Sequence, residues 1–363
     1  MKRLLTVLCA VMLLTACAEN PKIGEQSVSI SDVTINEPFA ETSQTDDDDP
    51  FAQSNEKKKD EPDGAWAQGV EWKKNREFVL DYAPTVTFPY YIENGANRND
   101  FGLLIFVNGF RQTYRTDTEP DDRVMHTFVV NQNETIHSMI SFDPIVGHMG
   151  ETLSVEIIGM FQPSFTLTDQ TTHAALNFHH RIMSLFPSDL TVTQKTDLKA
   201  PAVCSEYTEV PITEDIKDQY QNNGENMLDK ASDIFLEALK NDILITPGDR
   251  DKAAEQGKEI KKTVFSGNDK ITLCMFGGGK PCKYRISMYL NHELVHGVFD
   301  GYDYIDMMPS ADIMCRKEID MSKLKLPQNE FSHFYFIAVP FYTNKNYAER
   351  MTVKSESAAI SNS

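Results

Sequence analysis

Residues 289–307 read YLNHELVHGVFDGYDYIDM, and His292-Glu293-Leu294-Val295-His296 within them has the spacing H-E-x-x-H. On a helix, histidines at i and i+4 share a face and can grip one zinc ion, while the glutamate beside them activates a metal-bound water. A third ligand must come from elsewhere, and Glu318 is the downstream candidate. A second set of reactive residues is the cysteines. Cys274 and Cys282 lie symmetrically about Gly278, so a tight hairpin at Gly277-Gly278-Gly279 would set them face to face as a cross-strand disulfide or a buried thiol pair.

The elements around these residues decide what they can do. Leading into the motif, Ile286, Met288 and Leu290 alternate with Ser287, Tyr289 and Asn291. That period of two is a strand, on which residues four apart are about 13 Å apart. Imidazoles at that distance cannot share an ion held at about 2.1 Å from each nitrogen. Glu318 falls in IMCRKEIDM, where Ile313, Cys315, Ile319 and Met321 form the apolar face and Glu318 the polar one. The stretch HELVHG resembles the zinc site of thermolysin-like metalloproteases. That resemblance implies His292, His296 and Glu318 as zinc ligands and Glu293 as the catalytic base. Such enzymes follow the motif with a helical lobe, whereas residues 297–340 carry the turn signal Asp300-Gly301 and strand-like runs. A zinc site of Cys274, Cys282, His292 and His296 matches no common finger spacing. His126 and the pair His179-His180 read as strand-face residues. The preferred reading is therefore non-enzymatic, with no catalytic residue, metal or cofactor assigned. The zinc peptidase is the alternative.

The remainder of the chain is rich in short strands. FGLLIFVNGF, MHTFVV, SMISFDP and GETLSVEIIGMFQPSF follow one another between turn residues, and KITLCMF, YRISMYLN, IMCRKEIDM and FYFIAVPFY do so later. HAALNFHHRIM, residues 173–183, is a further candidate strand. Helical periodicity is clear only at Met227, Ala231, Ile234, Phe235, Ala238 and Leu239, with a weaker stretch from Asp249 to Lys262. LLIFVNGF aligns with ISMYLNHEL, placing Asn108 opposite Asn291 and His292 in the place of Gly109. VEIIGMFQPSF aligns with FYFIAVPFY, Pro163 opposite Pro340. This internal repeat predicts a mainly β chain of two tandem antiparallel β-sandwich, immunoglobulin-like domains. They are expected at residues 66–200 and 201–354, the second with a helical insertion, and residues 355–363 as a disordered tail.

The N-terminus predicts an address. Lys2 and Arg3 precede the apolar run Leu4 to Ala16, too short to span a bilayer, and the run ends in Leu14-Thr15-Ala16-Cys17. These residues resemble the lipobox of bacterial lipoproteins. The resemblance implies a signal peptide over residues 1–16, cleavage before Cys17, and lipid attachment at Cys17, hence a cell-membrane anchor on the extracytoplasmic face. Residues 17–65 contain the acidic run Asp46 to Asp49 and few aromatics, a composition that cannot bury a core. As a coiled tether they would reach roughly 40 Å. Without Lys2 and Arg3 the chain keeps 33 basic residues against 54 acidic, a net charge of −21. That balance disfavours nucleic acid as a partner. The expected function is a membrane-anchored lipoprotein presenting its domains for binding, adhesion or envelope assembly, with a protein or glycan ligand. An accessory subunit of an envelope or transport complex is a further alternative.

Overall fold

The computed structural model describes residues 66–361 apart from 73–77, 97–98, 167–178, 186, 195, 212–242, 248–263, 276–281, 311–312, 327–330 and 342–351. The first half contributes β1 (Trp66–Val70), β2 (Val79–Leu80), β3 (Val86–Asn94), β4 (Asp100–Val107), β5 (Phe110–Gln112) and β6 (Arg115–Thr116). It continues with β7 (His126–Val129), β8 (Glu134–Phe142), β9 (Gly147–His148), β10 (Thr152–Phe161), β11 (Ile182–Ser184), β12 (Ser188–Thr191) and β13 (Asp197–Leu198). The second half supplies β14 (Thr208–Pro211), β15 (Ile243–Pro247), β16 (Val264–Ser266), β17 (Lys270–Met275), β18 (Lys283–Leu290) and β19 (Glu293–Leu294). It ends with β20 (Tyr304–Met307), β21 (Ile313–Asp320), β22 (Ser332–Phe341), β23 (Val353–Lys354) and β24 (Ala358–Ser361).

Each half is a sandwich of a four-stranded and a seven-stranded sheet. The small sheets run β1-β3-β8-β6 and β14-β21-β17-β15. The large sheets run β2-β12-β10-β4-β5 and β16-β24-β22-β18-β19, with β11 and β23 added to β10 and β22, and β7 and β20 to β4 and β18. The repeat extends to direction, because β2 with β12 and β16 with β24 are the parallel pairs in otherwise antiparallel sheets. The fold class read from the sequence is thus the observed one. The small sheets differ in their outer strand. The first sandwich uses β6, whereas β14 precedes every other strand of the second.

Inner and outer sheets bear different sequence patterns for a physical reason. In β3 the residues Val86, Phe88, Tyr90, Ile92 and Asn94 are buried and their neighbours are more exposed, the alternation of a sheet with one wet face. In β4 every residue from Asp100 to Val107 is buried, and β18 is almost as fully covered. Both faces of the large sheets are occupied. Leu103, Ile105, Val155 and Ile157 face the core of the first sandwich, and Tyr284, Ile286, Phe334 and Phe336 that of the second. The alternate residues Leu104, Phe106, Ile158 and Met160 meet Tyr289, Tyr335, Ile337 and Val339 in a third core. The two large sheets therefore stack face to face, giving four layers, small, large, large and small. Full burial of a side chain of this size stabilises by about 2 kcal/mol.

The backbone corrects several sequence expectations. Of the expected tail at 355–363, the described residues 355–361 are not free, since β24 lies within the large sheet, hydrogen-bonded to β22 and β16. Of residues 173–183 the described part enters a strand only at Ile182, and His180 sits in the turn before it. The Pro163–Pro340 match is two residues out of register. Asn108 and Asn291 donate their N–H to the carbonyls of Ser154 and His333 respectively, which makes those residues equivalent and sets Pro340 opposite Phe161. Asp197–Leu198 still pairs with β9, while Cys204 bridges to Ile305. The expected helices at 227–239 and 249–262, the signal peptide, Cys17 and the tether lie outside the described residues.

Candidate functional site

His292 and His296 do not share a face. β18 ends at Leu290, the chain turns at Asn291 and His292, and Glu293–Leu294 returns as β19. Asn291 and His292 have φ of +50° and +68°, just as Asn108 and Gly109 have +47° and +76°. Left-handed conformation at both central residues is what a two-residue hairpin turn requires. His296 lies beyond, largely exposed, its Nδ1 2.8 Å from Asp303 Oδ2. Glu318 sits on the outer face of β21, where it accepts a bond from Lys270 Nζ at 3.1 Å. Glu293 is exposed. The three ligands and the base implied by the thermolysin-like resemblance are therefore dispersed over a turn, a strand and a loop.

The cysteine expectation is also corrected. Cys274 is in β17 of the small sheet, and Cys282 stands at the foot of β18 in the large one. The two strands belong to different sheets and so do not form one hairpin. All four described cysteines are thiols.

His292 meets other partners. Its ring packs against His180 and His333 with centroid distances of 4.9 and 4.5 Å, and His180 and His333 are 4.6 Å apart. One ring nitrogen from each lies within 4.8 Å of those of the other two. Three separate elements deliver them. His180 comes from the turn before β11 in the first sandwich, His292 from the β18–β19 turn, and His333 from the second residue of β22. His180 is fully buried and His333 is 5% exposed.

Hydrogen bonding fixes the tautomers of two rings. His292 Nε2 donates to Pro163 O at 2.8 Å, and His180 Nε2 donates to Phe165 O at 3.1 Å, since a carbonyl can only accept. The Nδ1 of each therefore keeps its lone pair. At His292 that lone pair faces the Tyr335 hydroxyl at 2.9 Å. His180 Nδ1 and His333 Nε2 are buried and have no hydrogen-bond partner among the described residues. Burial holds all three imidazoles neutral, lowering His180 to about 2, His333 to about 3 and His292 to about 4. Neighbouring histidines add to this for His180 and His333, Lys354 adds to it for all three, and the bond to Pro163 O opposes it at His292. Lys354 itself is drawn down to about 7 by burial, and its ammonium donates to Ser355 O and Ser357 Oγ. Neutral imidazoles with inward lone pairs are the form in which histidine binds a transition metal.

The opposite end of the stacked sheets is built from different groups. Arg285 bonds Asp306 Oδ1 and Oδ2 from Nε and Nη2 at 2.8 and 2.9 Å, and reaches across the junction to Asn108 O at 2.8 Å. Its guanidinium lies 3.8 Å from the Phe110 ring centroid. A Cβ on Gly109 would come within 2.7 Å of the Arg285 Cβ, so the turn needs glycine for the close approach as well as for its φ. Between the two ends, Glu156 is buried at the junction and its carboxyl is raised by burial to about 8.

Sequence reading singled out His292 with the wrong companions. It took His180 for a strand-face residue and passed over His333. The usable signal was the repeat. Asn291 is bonded to His333 as Asn108 is to Ser154, so a histidine following an end-of-strand asparagine lies beside position 333.

No family model matches the sequence, and no curated protein matches it. Among solved structures, the E. coli chaperone DraB is 8% identical, over 82% of this chain and 95% of that chain, with a TM-score of 0.21. The periplasmic chaperone SfaE is 7% identical over 80% and 98% of the two chains, at 0.20. A CsuC–CsuE chaperone–tip adhesion subunit complex from Acinetobacter baumannii is 10% identical over 82% and 99%, at 0.19. Superpositions this loose carry no argument about function.

Proposed function

We propose that the chain is an extracytoplasmic lipoprotein, anchored through Cys17, that displays two stacked sandwiches as one rigid module for binding a protein or glycan in adhesion or envelope assembly. The observation that carries this reading is the third core. Leu104, Phe106, Ile158 and Met160 against Tyr289, Tyr335, Ile337 and Val339 fuse the halves into a body with outward-facing small sheets. A lipobox-like Cys17 followed by a polar tether of residues 18–65 suits the presentation of such a body away from a membrane. The acidic surface suits solubility and disfavours nucleic acid.

Replacing Cys17 by Ser in the full chain tests the anchor. The expected result is loss of fatty-acid labelling, with the protein released or held as an uncleaved precursor. Continued labelling and membrane retention would refute it. Cross-linking in intact cells addresses the role. Capture of an external protein or glycan supports display for binding, whereas a stoichiometric set of membrane subunits would replace this reading with an accessory component of an envelope complex.

A further inference from the structure

The three-histidine cluster bridges the sandwiches. His180 belongs to the first, and His292 and His333 to the second. The geometry points to a transition-metal site, with zinc as the ion it fits best, held by His180 Nδ1, His292 Nδ1 and His333 Nε2 and clamping the two large sheets together at one end of their junction.

Four independent observations converge on it. First, the ring nitrogens already lie within 4.8 Å of one another. On one tetrahedral zinc with bonds of about 2.1 Å, two nitrogens are about 3.4 Å apart, so an inward movement of about an ångström completes the geometry. Second, two of the three lone-pair positions, on His180 and His333, are buried polar atoms with no hydrogen-bond partner among the described residues. An orphan of this kind costs about 1–3 kcal/mol, which a metal bond removes. Third, the nitrogens facing away, Nε2 of His180 and of His292, are held by the carbonyls of Phe165 and Pro163. Backbone carbonyls on the far side of the ring are the usual outer partners of metal-bound histidine, fixing tautomer and orientation. Fourth, His292 occupies a left-handed turn position that costs a non-glycine residue about 1 kcal/mol, and its repeat counterpart is Gly109. The side chain is kept there against the local backbone preference.

An all-imidazole donor set favours zinc, copper or nickel over magnesium or calcium. The Tyr335 hydroxyl lies 2.9 Å from His292 Nδ1 and gives up that hydrogen bond when the metal takes the lone pair. Among the described residues Lys354 is a cation facing the cluster, and its charge opposes a dication, so the imidazole donors have to supply the affinity and weakly held hard ions are disfavoured. The ion ties two layers, since His180 comes from one sandwich and His292 and His333 from the other, and the fourth tetrahedral position is left to a solvent oxygen.

The test uses the full chain in detergent, stripped with a chelator and then titrated with Zn(II), and separately with Co(II). One zinc per chain is expected, with a chelator-reversible rise in Tm of several degrees. Co(II) should give the intense visible bands of a four-coordinate site. His333→Gln and His180→Asn are each expected to lose more than about 100-fold in affinity. His296→Ala, at the exposed histidine, should leave stoichiometry unchanged. Should the ligand variants fail to fold, X-ray absorption of zinc-loaded wild type decides the matter by showing three imidazole nitrogens. Absence of stoichiometric metal, an unchanged Tm, or loss of binding on His296→Ala would overturn the proposal.

Discussion

The two ends of the sheet–sheet junction begin from the same plan and diverge in chemistry. Each is capped by a hairpin turn from one sandwich pressed on the other, Asn108-Gly109 at one end and Asn291-His292 at the other. Beneath the first turn stands Arg285; its repeat counterpart, by the Asn108–Asn291 equivalence, is Gly102, where a Cβ would strike Met125 Sδ at 2.6 Å. The first end is closed by a long cation reaching up to the turn. At the second, Met125 and Pro163 pack directly over the bare Gly102, and the turn residue His292 reaches down to Pro163 O instead. The same backbone thus supports a charge network at one end and an imidazole cluster at the other. Duplication fixes position and direction, and side chains at equivalent points are free to specialise.

Breaking the charged end should have the largest effect. Arg285→Ala strips the buried Asp306 of its two-pronged partner and leaves Asn108 O unsatisfied, although Lys283 Nζ stays 2.8 Å from Asp306 Oδ2. A loss of about 3–5 kcal/mol in denaturant unfolding is expected. A loss below about 1 kcal/mol would mean the arginine end contributes no more than a surface pair.

The middle of the junction comes next. Glu156 is the counterpart of Tyr335 in the repeat, an acid in the first sandwich where the second has a phenol. Its folded value of about 8 lies above the ordinary 4.5, so the folded state binds the extra proton between those limits. Its contribution to stability is fully present below pH 4.5 and is lost as pH rises to about 8. At pH 7 the accumulated cost is about 3 kcal/mol. Glu156→Gln should stabilise by up to that amount at neutral pH and flatten the slope between pH 4.5 and 8, read from unfolding at several pH values. Lys354 acts in the opposite sense and higher. Lowered from 10.5 to about 7, it adds stability as pH climbs from 7.

The smallest effects compare the turns directly. Gly109→Ala meets both a left-handed φ and the Arg285 Cβ, and should cost about 2 kcal/mol. His292→Gly relieves backbone strain while giving up the bonds to Pro163 O and the Tyr335 hydroxyl, so in metal-free protein the net change should stay within about 1 kcal/mol. Equal costs at the two turns would show that the histidine turn is packed as tightly as the glycine one.

Much of this architecture was legible in the chain. The alternation before Asn291 correctly announced a strand, and apolar runs such as Leu103 to Val107 announced further strands, whereas the covering of both faces of their sheets emerged only from the structure. Pairing of the two asparagines announced the repeat. The histidine cluster was hidden because His180 and His333 are brought together by the stacking of two sheets, which no local spacing records. Cys274 and Cys282 misled for a related reason. Symmetry about a glycine run looks alike whether the chain folds back within a sheet or crosses to the opposite one. The terminal residues, short and serine-rich, resembled a loose end, but Ala358–Ser361 is buried by its neighbours.

The third core also sets a condition on how the molecule can be divided. Severed after the first sandwich, either piece would present a broad greasy wall with a stranded acid or arginine on it, which is the surface of an aggregating fragment. The halves are therefore obliged to travel together, and any attempt to express one alone will need the other supplied in trans.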